Sequence, residues 1–164
     1  DAVTNDEADV GILSYPPTNR ALAVIPWRSE RMVLVCHPNH RLAHRRTVPA
    51  RELDGESFVA FDPDLGIRKA IDRALKQRNV KVNVVMEFDN IETIKQAIAI
   101  EAGVSILPKP AVLKEVRIRT LAAAPLDIPD LVRPVGIIHR RQKQLTPIVA
   151  RFIESLLSAG SLEG

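Results

Sequence analysis

The sequence holds 164 residues, of which 46% are hydrophobic, 26% charged and 4% aromatic, enough apolar material for one core or two small lobes. Disorder and fibrous repeats are excluded, and because no apolar run exceeds five residues, as in Met32 to Cys36, a bilayer-spanning helix is excluded as well. The 23 basic against 20 acidic side chains leave a net charge of +3, too small an excess to demand nucleic acid, and a single cysteine, Cys36, excludes an internal disulfide and the Cys-rich zinc patterns.

The opening reads as strand-rich. Asp9-Val-Gly-Ile-Leu13 precedes the Pro16-Pro17 breaker; Leu22 to Ile25 and, after Pro26, Arg31 to Cys36 follow, so three strands are expected in the first 36 residues. From His37 to Pro49 the chain is polar and basic and reads as a surface connection. The grammar then changes. Ser57 to Phe61 is a short strand, Asp62-Pro-Asp-Leu-Gly66 a turn, and Ile67, Ala70, Ile71, Ala74 and Leu75 recur at helical spacing up to Asn79. Val82 to Phe88 is the next strand. Asp89 and Glu92 stand at capping-box spacing, which predicts a helix from Ile91 to Ala102 with Asp89 as its cap and Gly103 as its C-terminal glycine. Val104 to Leu107 forms another strand before Pro108 and Pro110. This alternation predicts an α/β fold with a parallel sheet.

Residues 111–121 have room for a short helix and a strand, and the two prolines within Ala122 to Asp130 suggest a connecting loop. Val132 to His139 reads as a strand. Leu145, Ile148, Val149, Phe152, Ile153, Leu156 and Leu157 then form the clearest helical stripe, with Thr146 as N-cap and Pro147 at the first helical position.

Six segments in order resemble the effector-binding domain of LysR-type transcriptional regulators. They are Asp9-Val-Gly-Ile-Leu13, Met32-Val-Leu-Val-Cys-His-Pro-Asn-His-Arg-Leu-Ala43, Arg68-Lys-Ala-Ile-Asp72, Glu87-Phe-Asp-Asn-Ile-Glu-Thr-Ile-Lys95, Ala102-Gly-Val-Ser-Ile-Leu-Pro108 and Arg133-Pro-Val-Gly-Ile-Ile138. The resemblance implies a type 2 periplasmic-binding-protein-like α/β fold: two Rossmann-like lobes joined by two crossover strands, with a small molecule held in the cleft. Carried onto this chain, it puts the crossings near Val33 to His37 and Val135 to Ile138. Residues 1–36 and 137–160 would be a partial lobe I and residues 37–136 lobe II. The winged helix-turn-helix, and the opening elements of lobe I, are expected to lie outside this sequence, which starts at Asp1 and reads as a fragment or processed product. DNA binding would then belong only to that absent domain. The final helix is expected to leave part of its apolar stripe uncovered.

Ligands of open α/β sheets collect at the carboxyl ends of strands, where helix N-termini present free amides and partial positive charge. Two turns qualify, Asp62 to Arg68 and Phe88 to Ile91, and the resemblance places both at the cleft. The effector contacts expected are Asp64, Leu65, Gly66 and Ile67 in the first, and Phe88, Asp89, Asn90 and Ile91 in the second. The competing reading is that Asp62, Asp64 and Asp89 simply cap their helices. Ser14, with Tyr15 behind it, is a further candidate contact or else an exposed turn residue. His37, His40 and His44 beside Cys36 invite a metal reading, which their spacing, Pro38 and the neighbouring Arg45 and Arg46 oppose; no metal and no cofactor are expected. Cys36 reads as a buried packing residue sooner than a reactive thiol.

No Gly-x-Ser-x-Gly, Gly-x-Gly-x-x-Gly, Walker or His-Glu-x-x-His motif occurs, so no catalytic role is expected. The function expected is effector sensing in a cytoplasmic, homo-oligomeric LysR-type regulator, with a small anionic effector. The rival readings are a fragment of a periplasmic solute-binding protein and a small-molecule α/β enzyme.

Overall fold

The computed structural model describes Val3, residues 8–141 and residues 143–160. By its internal contacts the chain divides into two units, Asp1–Ser29 with Pro134–Gly164, and Glu30–Arg133. The chain therefore passes between them after Ser29 and after Arg133, a few residues ahead of the crossings expected from the resemblance. Each unit is described by itself.

In the first unit β1 (Val10–Ser14) runs antiparallel to β8 (Val132–Arg140), with Val10 opposite His139 and Ser14 opposite Val135. Next to β8 lies β2 (Leu22–Cys36), a single strand of 15 residues. Two separate strands were expected here, broken at Pro26. Among the described residues this stretch of β2 has a neighbour on one side only, because its pairings with β6 begin at Met32, and an open edge is where a strand tolerates a proline. Leu22, Val3 and Ile138 form a small buried cluster. The last helix, α4 (Pro147–Gly160), starts as expected, with the Thr146 hydroxyl oxygen accepting from the Val149 amide at 3.3 Å. Ile153 is buried, whereas Ile148 is 81% and Phe152 52% exposed, so the apolar stripe is covered only in part. The Trp27 indole N–H donates to the Leu156 carbonyl at 2.7 Å and ties the helix to β2.

The second unit is built on the apolar half of β2. β6 (Ser105–Pro108) and β7 (Ala122–Asp127) pair antiparallel with it from opposite sides, and the short β3 (Val48–Pro49) adds parallel to β7. The loop expected over Ala122 to Asp130 is therefore a strand for its first six residues. Alanine and proline are poor strand formers, and the ladders on both sides override that preference. β4 (Ser57–Phe61) and β5 (Asn83–Phe88) are parallel, and a parallel bridge from Phe58 to Val104 joins β4 to the strand that becomes β6. The expected parallel alternation is present, carried into a mixed sheet.

Helix α1 (Gly66–Gln77) buries Ile67, Ile71, Ala74 and Leu75, one face at spacings of three and four. Helix α2 (Ile91–Ala99) buries Ile94, Ala97 and Ile98 and packs on β4, β5 and β6. It ends sooner than expected, with Ile100 as C-cap, and the left-handed residue is Glu101 (φ 63°), not Gly103. Gly103 has another purpose: a Cβ there would stand 2.6 Å from the Ser57 carbonyl oxygen, so glycine permits the close approach that lets Val104 bridge to β4. Helix α3 (Leu113–Arg117) follows a 3-10 turn, Lys109–Val112. Buried Lys95 joins α2 to this segment, donating to Glu115 at 2.7 Å and to the Ala111 carbonyl at 3.0 Å. The stretch from His37 to Pro49 is more than a surface connection, because Leu42 and Val48 are fully buried and Arg41 binds both Glu52 and Glu56.

Candidate functional site

Parallel pairing of β4 with β5 puts Phe61 directly beside Phe88, so the two strand-to-helix turns of the second unit leave the sheet side by side. The Asp62 amide donates to the Phe88 carbonyl at 2.9 Å and stitches one turn to the other. Asp64, Gly66, Asp89 and Asn90 are exposed, Leu65, Phe88 and Ile91 half-buried, and Ile67 buried under its own helix. All eight residues expected in these turns thus fall on one edge of one unit. Ser14 is exposed at the end of β1 in the other unit.

The two turns differ in how their helices begin. Helix α1 has Leu65 at its N-cap, and no side chain accepts from its first amides. Asp62 and Asp64, which the competing reading made caps, do not cap. Backbone N–H groups at Gly66, Ile67 and Arg68 precede the first helical bond, which Lys69 donates to Leu65 at 3.1 Å. Gly66 is not in the positive-φ region, so the backbone does not require glycine there, and the residue is exposed. Helix α2 is capped in the ordinary way. The Asn90 side-chain oxygen accepts from the Thr93 amide and from the Thr93 hydroxyl, both at 2.9 Å, while the Asn90 amide group donates to Asp89. The cap is therefore Asn90, not Asp89, and asparagine succeeds because its amide can accept from Thr93 and donate to Asp89 at once.

Arg68, absent from the expected contacts, fixes the first turn. Its guanidinium donates to the Phe61 carbonyl at 2.7 Å, to Glu87 at 2.6 Å and to Asp72 at 2.9 Å. Partial burial lowers its pKa, but the hydrogen bonds to Glu87 and Asp72 outweigh that, and the group is held above its ordinary value. Glu87 is accordingly a structural partner of Arg68. With the Arg68 charge already matched by two carboxylates, the groups this turn leaves for an anion are the backbone amides, backed by the roughly half positive charge of a helix N-terminus. The only signal in the sequence was a pair of opposite charges, Arg68 and Glu87, whose juxtaposition requires the β4 to β5 register.

The histidines are engaged separately. The His37 Nδ1 accepts from the Asn39 amide and the His40 Nδ1 from the Leu42 amide, while the far nitrogen of His40 lies 3.2 Å from Glu56. Among the described residues no three His, Cys, Asp or Glu side chains converge as a metal site would require. Burial, with the charge of Glu56 adding, pushes the Cys36 thiol up to about 11, so it stays protonated inside β2.

The family model for the LysR substrate binding domain matches residues 1–161. This chain belongs to the LysR substrate-binding domain family. The uncharacterized HTH-type transcriptional regulator YeiE of Escherichia coli K12 is 28% identical over 153 residues, covering 93% of this chain and 52% of that protein. The chain thus spans about half the length of such curated relatives. The regulatory domain of CcmR from Synechocystis PCC6803, solved in complex with 2-PG, superposes with a TM-score of 0.86 at 28% identity, over 97% of this chain and 76% of that one. The BenM effector-binding domain with benzoate superposes at 0.83 with 17% identity, over 99% and 74%. The LysR domain fold is the type 2 periplasmic-binding-protein-like arrangement, as the resemblance implied. No helix among the described residues is long and apolar enough to cross a membrane.

Proposed function

We propose that this LysR substrate-binding domain senses a small anionic effector at the turns that begin α1 and α2, with Asp64, Leu65, Gly66 and Ile67 as the head-group contacts and Phe88, Asp89, Asn90 and Ile91 beside them. Ser14 of the other unit is a further contact. Glu30–Arg133 acts as one lobe and the remaining residues as part of the other. The observation that carries the reading is the uncapped N-terminus of α1, open at Gly66 and adjoining a second strand end. Neighbouring structures support the anionic class, since CcmR holds 2-PG and BenM holds benzoate. Occupancy shifts the balance between domain arrangements in a homo-oligomeric, cytoplasmic regulator, whose helix-turn-helix reads DNA.

Calorimetric titration of the chain with 2-PG, benzoate and related small carboxylates tests this. Saturable binding of at least one anion is expected, with the neutral amide or ester of the same compound failing to bind. Equal affinity for the neutral analogue would overturn the assignment of the head-group to these amides. By itself, the chain should bind duplex DNA weakly and lose that binding in moderate salt, given its net charge of +3. Sequence-selective nanomolar binding in a fluorescence anisotropy titration would contradict the division of labour.

A further inference from the structure

A cavity of about 230 Å³ lies in the Glu30–Arg133 unit, between α3 and the sheet, and includes none of the residues of the two turns. Its origin is in the strands. Val33 is directly opposite Pro125, and Val35 opposite Ala123, so these side chains share one face of the β2 to β7 ladder. Val112 and Val116 approach from the helical side, and the short Ala123 and compact Pro125 leave the intervening space unfilled. The walls are apolar. The lining also includes two cations, Arg31 and Lys109. Because Met32 is paired with Pro108 in an antiparallel register, Arg31 and Lys109 are the next residues outward on neighbouring segments. Both are exposed, and neither has an acidic partner among the described residues. That contrasts with Arg41, Arg68, Lys95 and Arg133, each of which meets a carboxylate.

We propose that this cavity is a second ligand site, which takes a small monocarboxylate with a compact apolar body, its carboxylate at Arg31 and Lys109 and its hydrocarbon against Val33, Val116 and Ala123. The size sets the class. An apolar cavity of about 150 Å³ accommodates benzene, whereas drug-sized ligands need about 300 Å³ or more, so 230 Å³ fits one ring or a short branched chain with a single polar group. The chemistry sets the charge. Arginine presents a planar fork matched to a carboxylate and lysine adds a point charge, while apolar walls favour a ligand whose other end needs no hydrogen bonds. A dicarboxylate or a sugar would bury polar groups there without partners.

Cyclohexanecarboxylate and its neutral amide are the probes. In methyl-resolved NMR of the whole chain, the acid should shift Val33, Val112, Val116 and Ala123 saturably in the millimolar range, and the amide should bind at least about tenfold more weakly. Arg31→Gln combined with Lys109→Gln, both at exposed positions, should weaken the acid by about tenfold without altering the melting temperature. Ala123→Leu should fill the cavity and abolish the shifts; should that variant fail to fold, the charge variant alone decides. Three results would overturn the proposal: acid shifts confined to the Gly66 to Arg68 amides, equal binding of acid and amide, or full affinity in the double charge variant.

Discussion

The turns before α1 and α2 share a strand, a bend and a helix, and they leave adjacent parallel strands at the same level, yet they meet their first amides in different ways. Asn90 gives α2 its own acceptor and is itself held by Asp89. The first helix has Leu65 in the same position, with no side chain to close the turn, and Arg68 neutralised by Asp72 and Glu87. A capped helix end is complete; an uncapped one, with glycine at its first position, leaves its first amides without a side-chain acceptor. What separates the two turns is the single residue at the N-cap, and on the proposed function that residue decides which of them binds.

The largest expected effect follows from that difference. Gly66→Val puts a branched side chain over the open amides and should lower affinity for the effector anion by about 100-fold, close to the loss of one strong group interaction. Since Gly66 is not at positive φ, the variant should stay folded, as circular dichroism and thermal melting can show. Unchanged affinity in a folded Gly66→Val chain would remove the distinction between the two turns. Gly103→Ala acts on both turns at once, because its Cβ would press on the Ser57 carbonyl at the root of β4; a loss of about 2 kcal/mol in chemical denaturation is expected. Asn90→Ala should act first on stability, lowering it by about 1 kcal/mol, and should weaken the anion only about threefold, far less than Gly66→Val does. A large affinity loss there would make α2 the binding helix.

The smallest effect concerns the anchoring of α2 through Lys95. Its partner Glu115 is held below the ordinary carboxylate range, chiefly by the hydrogen bond from Lys95. Its depressed folded value means that the stabilisation is present above the unfolded pKa of about 4.5 and is lost as pH falls through the folded value. Glu115→Gln should therefore flatten the acid limb of the stability profile without changing the anion titration at α1.

Much of this was legible in the sequence. Periodicity located β4, α1, β5 and α4 within a residue or two, because their apolar spacing and turn residues agree. The departures have physical causes. Pro26 and Pro125 read as breakers, but strand partners fixed far along the chain decided those positions. Gly103 carried a correct signal with the wrong reason, since a glycine required for close backbone approach looks the same as one required for positive φ. Within the site, residue types indicated both turns; which residue caps could not be read, because Asp89 and Asn90 are adjacent and either can accept from an amide. Arg68 escaped because its partner Glu87 lies 19 positions away and meets it only through the β4 to β5 pairing.

The most direct test of the difference between the turns is a ¹H–¹⁵N titration of the chain with 2-PG, benzoate and other small carboxylates and phosphates. Saturable shifts of the Gly66, Ile67 and Arg68 amides by at least one of these anions are expected, with the Thr93 amide, already bonded to Asn90, moving little. Shifts centred on Thr93 and Ile94, or no saturable shift at Gly66 to Arg68 with any of the anions, would contradict the assignment of α1 as the open, anion-binding helix.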